Sequence, residues 1–284
     1  MGNCNREVSC IQRLQQRYGS GEARALYELV MRRRFGLSRT DILLGKDTTL
    51  SSDDKEELQR IIDRIAKGEP VQYVLGSEEF CGHEFFVGPG VLIPRPETQQ
   101  LVSLVQERLT PGSSVLDIGT GSGCIAVTLA LAGYQVTALD ISDEALAYAR
   151  RNAERLGADV KFVKGDMLAL SKASPLGEGM VESIVSNPPY ICRREAETMD
   201  ENVLLHEPHL ALFVPDDNPL LFYQAIADFG QKYLTEGGWL FFEVNRAYPK
   251  QVEGLLLQKG YTKVETIKDE YDNDRFVCAC RETM

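Results

Sequence analysis

From about residue 114 onward the chain repeats one pattern, in which a short apolar run and a turn lead into a helical stretch. The run SVLDIG leads to the helix GCIAVTLALAG, QVTALD leads to SDEALAYARRNAERLG, and VKFVKGD follows. VESIVSN, a helix within NPLLFYQAIADFGQKYL, GGWLFFEVN, the helix PKQVEGLLLQKG and KVETIKD continue the series. Strands joined by helices run parallel, because each helix returns the chain to the end where the previous strand began. The last run, RFVCACR, is separated from KVETIKD only by the turn YDND, so it runs antiparallel. The expectation is an α/β fold with a mostly parallel seven-stranded sheet and its last strand antiparallel. Such a sheet binds ligands at the carboxyl ends of its strands. Asp117, Asp140, Asp166 and Asn187 stand at those ends or within a residue or two of them. Four convergent polar residues are more than turns require.

The residues before this series differ in kind. Up to about residue 75 the chain reads as helices. SGEARALYELVMRRRFGL has Ser20 as its N-cap and Ala23, Leu26, Leu29 and Val30 on one face. SSDDKEELQRIIDRIAKG sets Leu58, Ile61, Ile62 and Ile65 at helical spacing and closes at Gly68. EFCGHEFFVGPGVLIPRPE alternates and turns at GPG, which predicts a β-hairpin of Phe80–Val87 and Val91–Ile93 ended by Pro94 and Pro96. The expected organisation is a small all-α domain over 1–76, a β-hairpin linker over 77–96 and the α/β domain over 97–284.

Composition narrows the function. The 284 residues are 43% hydrophobic and 26% charged, as in ordinary globular proteins, and suffice for about two domains. No apolar run approaches the ~20 residues of a membrane span. The start, MGNCNREVSC, lacks the apolar core of a signal peptide. It offers Gly2 and Cys4 for lipidation, but Arg6 stands where the acylation pattern needs Ser or Thr. The seven cysteines form no C-x-x-C pair and read as reduced, mostly buried thiols of a cytoplasmic protein. His206 and His209 are split by Pro208 and have no cysteine nearby, so no metal site is expected. A net charge of −11 opposes a direct nucleic-acid partner, whose phosphates attract Lys and Arg.

LDIGTGSG follows the first sheet strand and opens a helix. Gly119, Gly121 and Gly123 carry no side chain, so a ligand can reach the loop's N–H groups; Thr120 and Ser122 lie between them. The spacing G-x-G-x-G is not the G-x-G-x-x-G of dinucleotide sites, which weakens a nicotinamide or flavin reading. Asp140, 19 residues after Gly121, ends the second strand, where a carboxylate accepts both ribose hydroxyls. Ser142 supplies the following helix cap and frees Asp140 from that duty. Asp166, in KGDM, is placed to meet an adenine edge. An adenosine site without a pyrophosphate cradle fits S-adenosylmethionine. LDIGTGSG resembles motif I of class I, Rossmann-like methyltransferases, and SNPPY, ending at Tyr190, resembles their motif IV.

The N-P-P-Y loop has its own chemistry. Transfer of a methyl group from a sulfonium is an in-line displacement that depends on positioning. An amide or exocyclic NH₂ is a weak nucleophile because its lone pair is delocalised. Two acceptors on its protons would turn that lone pair toward the methyl group. The Asn187 side-chain carbonyl and the Pro188 backbone carbonyl can be those acceptors. Pro188 and Pro189 stiffen the loop, and Tyr190 can pack its face on a planar group. This chemistry leaves the substrate open, since N-P-P-Y resembles both adenine-N6 and glutamine-N5 methyltransferases.

The remaining segments resemble one family. EPVQYVLGSEEFCGHEFFVGPGVLIPRPET, LDIGTGSG, SNPPYI, EPHLAL, GGWLFFEV and DNDRF together are similar to the PrmC/HemK family over nearly the whole chain. The resemblance implies methyl transfer from S-adenosylmethionine to the glutamine side-chain nitrogen (N5) of the Gly-Gly-Gln tripeptide in class I peptide chain release factors. It implies Gly119 to Gly123 and Asp140 as cofactor residues and Asn187 to Tyr190 as the holder of the target amide. It also places Met167 in the adenine pocket, where an aromatic can stand in the family. Gln99 departs from the glutamate usual in PRPETE. The expected protein is a monomer. The rival expectations are a nucleic-acid amino-methyltransferase with the same loop, a non-catalytic translation-factor-binding protein and, more distantly, an NAD-dependent enzyme.

Overall fold

The computed structural model describes residues 5–170, 177 and 179–282; Gly2 and Cys4 lie outside them. The chain forms two compact units, one of the residues up to Ser77 with Asp200–His206, the other of Glu78–Met199 with Glu207–Met284. Among the described residues no helix is long and apolar enough to cross a membrane.

The smaller unit contains helices α1 (Asn5–Leu14), α2 (Ser20–Phe35), α3 (Arg39–Leu43), α4 (Ser52–Ala66) and α5 (Val71–Leu75). The Ser51 side chain accepts from the Asp54 N–H to start α4, and Ser38 and Asp41 form a capping box on α3. Helix α2 departs from the sequence reading. Ser20 is its first residue rather than its cap, and the buried face is Ala23, Tyr27, Val30 and Met31, with Leu26 and Leu29 only half-buried. The large Tyr27 and Met31 extend the row begun by Ala23 at a spacing of one helical turn. They pack with Leu58, Ile61, Ile62 and Ile65.

The larger unit opens with a tight hairpin, β1 (Ser77–Phe80) and β2 (His83–Phe86), so the predicted turn at GPG is corrected. The turn lies at Cys81 and Gly82, with φ of 48° and 74°, the left-handed pair that a two-residue hairpin turn demands. Gly88–Gly90 instead forms a loop pressed onto a later helix. Gly90 has φ of 98°, a conformation that side chains rarely adopt, which leaves that position to glycine.

After this come α6 (Thr98–Arg108), β3 (Ser114–Ile118), α7 (Cys124–Leu131), β4 (Gln135–Asp140), α8 (Asp143–Leu156), β5 (Val160–Lys164) and β6 (Val181–Ser186). A short β7 (Ile191–Cys192) pairs in parallel with β8 (Phe213–Val214); between them lie α9 (Glu201–His206) and α10 (His209–Leu212). The chain ends with α11 (Leu221–Tyr233), β9 (Leu234–Glu243), α12 (Pro249–Gln258), β10 (Tyr261–Lys268) and β11 (Asp274–Arg281). Helix α9 belongs to the smaller unit, where Arg17 donates to Glu201 Oε2 at 2.7 Å and to Asn202 Oδ1 at 2.9 Å.

The main sheet has seven strands in the order β10-β11-β9-β6-β3-β4-β5, with β11 antiparallel to both neighbours and the other pairings parallel. This is the seven-stranded α/β sheet expected. Side chains alternate across it. Val115, Ala138, Val185, Phe241, Phe276 and Cys278 enter one buried layer with α6 and α7, while Leu116, Leu139, Ile184, Phe242, Val277 and Ala279 enter the other with α11 and α12. Phe80 and Phe85 of the hairpin join the first layer. The strand order reverses at β3, so loops from β3, β4 and β6 open a crevice at that end of the sheet.

Candidate active site

The glycine-rich loop leaves β3 and is tethered to β4, with the Gly119 and Thr120 N–H groups donating to the Leu139 carbonyl at 2.8 and 3.0 Å. Gly121 and Gly123 have φ of 55° and 82°, a region that side chains rarely enter. The two serve different ends. A Cβ on Gly123 would press on Ala149 at 3.0 Å, so its absence lets α7 approach α8; a Cβ on Gly121 would meet nothing within 4 Å, so that side of the loop is open. Asn152, fully buried on α8, donates to the Ser122 carbonyl at 2.9 Å and exchanges hydrogen bonds with the Phe86 backbone, clamping loop and hairpin together.

At the end of β4, Asp140 Oδ2 accepts from the Gly121 N–H at 2.8 Å and Oδ1 from the Ser142 N–H at 2.9 Å. Ser142 Oγ in turn caps α8 by accepting from the Ala145 N–H. Burial raises the Asp140 pKa against the pull of those backbone N–H groups. Each oxygen keeps a lone pair for a ligand hydroxyl. Asp166 is used differently. Its Oδ1 accepts from the Leu168 N–H at 2.8 Å and starts a short 3₁₀ turn that carries Met167.

Asp117 stands behind the loop, fully buried, with Oδ2 accepting from Thr120 Oγ1 at 2.6 Å. Burial pushes its carboxyl up to about 7, opposed by the Thr120 hydroxyl and reinforced by the Asp140 charge. The folded protein thus holds this proton more tightly than the unfolded chain. The resulting stabilisation is complete below pH ~4 and is lost as pH rises through about 7. Asp117→Asn is expected to remove on the order of 2–4 kcal/mol of that pH-dependent loss. Denaturation midpoints of both proteins between pH 5 and 8 check this: their difference should change steadily in favour of the variant as pH rises.

The N-P-P-Y loop follows β6. Ser186 Oγ donates to the Ile118 carbonyl at 2.6 Å, locking the end of β6 to the end of β3. Pro188 and Pro189 are buried and Asn187 is half-buried. Asn187 Nδ2 donates to Thr98 Oγ1 at 3.3 Å. Tyr190 is riveted at two points: its hydroxyl donates to Glu243 Oε1 at 3.1 Å, and its carbonyl accepts from Asn245 Nδ2 at 3.1 Å. The end of β9 therefore holds the loop from behind.

Gly119, Gly121, Asp140, Met167, Asn187 and Pro189 meet around one cleft of about 200 Å³. Thr120, Ser122, Gly123, Asp166, Pro188 and Tyr190 are not part of its lining. The sequence reading missed its other walls. Val91 and Leu92 come from the segment after the hairpin, and Pro208, Leu210 and Ala211 from EPHLAL. Glu207 joins these two walls, accepting from the Ile93 N–H at 3.1 Å and from Arg95 Nη2 at 2.5 Å.

Residues 9–76 match the model of the PrmC N-terminal domain, and residues 115–199 match that of a methyltransferase domain. The release factor glutamine methyltransferase of Bacteroides thetaiotaomicron is 46% identical over 95% of this chain and 97% of its own length. That of Flavobacterium psychrophilum is 36% identical over 96% and 97%, and that of Bacillus subtilis 38% identical over 89% of each. The chain belongs to the release factor glutamine methyltransferase family. Two solved structures share the fold: a methyltransferase from Pyrococcus furiosus (TM-score 0.53, 20% identity, 82% of this chain and 100% of that one) and the Thermus thermophilus 16S rRNA methyltransferase RsmC in complex with AdoMet and guanosine (TM-score 0.53, 21% identity, 72% and 50%). In this member of the release factor glutamine methyltransferase family, EPHLAL and the residues just before IPRPET are walls of one cleft, which their separation in the sequence conceals. The departure at Gln99 also finds a use in this family member, since its Oε1 accepts from the Cys81 N–H at 3.0 Å and fastens the hairpin turn.

Proposed function

We propose that this protein transfers a methyl group from S-adenosylmethionine to a glutamine side-chain nitrogen of a peptide chain release factor, at N5 of the glutamine in the Gly-Gly-Gln tripeptide of class I factors. The observation that carries this reading is the single cleft joining an open glycine loop and Asp140 to Asn187 and Pro189. The release factor glutamine methyltransferases that the chain resembles along nearly its whole length supply the substrate. The residues fit the cofactor: Gly121 leaves open space beside the loop, and both Asp140 oxygens have acceptor capacity for ribose hydroxyls. Met167 offers a polarisable thioether to an adenine face. When bound, S-adenosylmethionine supplies an electrophilic methyl group on a sulfonium.

The chain's own residues handle the acceptor. With Nδ2 engaged by Thr98, Asn187 has Oδ1 free to accept one proton of the substrate NH₂. The Pro188 carbonyl, on the backbone between the cleft residues Asn187 and Pro189, is the second acceptor. Together they fix the plane of the amide, so the nitrogen lone pair faces the methyl group once conjugation weakens. Positioning of this kind converts a bimolecular displacement into an oriented one. Tyr190 serves by holding the loop, and Asp166 by shaping the turn under Met167. The protein acts as a monomer in the cytoplasm without binding nucleic acid, in keeping with a net charge of −11. Mass spectrometry of a release factor incubated with the protein and labelled S-adenosylmethionine tests this reading, with RNA and DNA as parallel acceptors. A 14 Da gain on the glutamine is expected; label only on nucleic acid would overturn it.

A further inference from the structure

Behind Asn187 lies a chain of hydrogen bonds that leads away from the cleft. Asn187 Nδ2 donates to Thr98 Oγ1 at 3.3 Å, and Thr98 Oγ1 donates to Glu243 Oε2 at 2.7 Å. Glu243 Oε1 accepts from the Tyr190 hydroxyl at 3.1 Å, and the Glu243 backbone carbonyl accepts from the Tyr223 hydroxyl at 3.1 Å. Thr98 and Glu243 are buried to 3% and 1% exposure, so water does not compete for these groups. Neither residue lines the cleft.

The direction of the bonds has a consequence. A carboxylate only accepts, so the one proton of the Thr98 hydroxyl is committed to Glu243. The Thr98 oxygen then turns its lone pairs toward Asn187. Of the two ends of an amide, only NH₂ can answer a lone pair. The flipped amide would set Oδ1 against an acceptor in a buried site, leaving both unsatisfied. Burial raises the Glu243 pKa, opposed by the Thr98 hydroxyl, by Arg275 and by the Tyr190 hydroxyl, and each of its two oxygens accepts from one of those hydroxyls.

We propose that Thr98 and Glu243 are positioning residues that set the polarity of Asn187, so that its carbonyl and not its NH₂ faces the methyl acceptor. This rests on the proposed amide-methylation reading. It also gives IPRPET and the end of β9 a task that neither segment has alone: the first supplies the hydroxyl, the second the carboxylate that orders it.

Thr98→Val keeps the shape and removes the hydroxyl; Thr98→Ser keeps the hydroxyl. In the full chain, Thr98→Val is expected to lower kcat about 10-fold or more, with KM and donor affinity within about threefold. Thr98→Ser should stay within about threefold of wild type in all three. Glu243→Gln offers Thr98 either an acceptor or a donor, so it should give an intermediate fall in kcat and still tests the relay if Thr98→Val does not fold. Equal losses in Thr98→Val and Thr98→Ser, or wild-type turnover in both Thr98→Val and Glu243→Gln, would overturn the proposal. A readout independent of any acceptor is the Asn187 side-chain NH₂ resonance, identified by its loss in Asn187→Ala. It should move in Thr98→Val and hold its place in Thr98→Ser; no movement in either would overturn the relay. Failure of wild type to methylate release factor, with these shifts intact, would count against the substrate assignment and leave the relay standing.

Discussion

Asn187→Ala is expected to reduce turnover about 10²–10³-fold while the affinity for S-adenosylmethionine stays within about threefold. The reasoning is geometric. Asn187 lines one side of the cleft, and the alanine variant keeps the proline-stiffened backbone that follows it. On the proposed reading, what disappears is one of two acceptors that orient the substrate nitrogen. Losing one preorganised polar partner at a reacting centre costs about 3–4 kcal/mol in comparable sites. Gly121 and Asp140, the proposed cofactor residues, are untouched, so binding and chemistry should separate. Single-turnover methyl transfer together with calorimetric titration of the methyl donor measures both. Unchanged turnover would favour a scaffold that binds translation factors without acting on them.

Asp140→Ala is expected to do the converse and weaken S-adenosylmethionine binding about 10²-fold or more. Two hydrogen bonds from ribose hydroxyls to a carboxylate are worth about 1.5–3 kcal/mol each. The alanine also releases the Gly121 and Ser142 N–H groups that Asp140 holds at 2.8 and 2.9 Å, which loosens the loop on which the cofactor rests. At saturating cofactor, turnover should recover to within about 10-fold, because Asn187 and its support at the end of β9 are unaffected. Titration calorimetry and the dependence of rate on cofactor concentration decide the outcome. A variant with wild-type affinity would remove Asp140 from the site.

The fold was readable because a parallel sheet writes itself as apolar runs alternating with helices, and because a four-residue turn such as YDND cannot reverse twice. The floor of the cleft was readable for a related reason, since Gly121 and Asp140 sit at strand ends whose position follows from the strand count. Its walls were not. Leu92 and Ala211 are apolar residues in irregular segments, brought together by Glu207 across a sequence separation of 112 residues from Arg95. No periodicity marks such a pairing. The hairpin was misplaced because GPG is a stronger turn signal than CG, yet Gly90 serves a loop conformation with φ of 98° outside the hairpin. The tie of the Tyr190 hydroxyl to Glu243, 53 residues away, was not legible either. Long-range polar pairs of this sort leave no local trace.

The last strand, β11, is not added to the rim of the sheet but threaded between β9 and β10, with Phe276 beside Glu243. A chain emerging from the ribosome therefore completes β9 well before it has the segment that covers that strand's free side. The anchor behind the asparagine loop is assembled late, when the C-terminal run inserts and the sheet closes over it. Shortening the protein by its final ten or so residues would thus not trim an ornament; it would disconnect β10 and strip the carboxylate's strand of a neighbour.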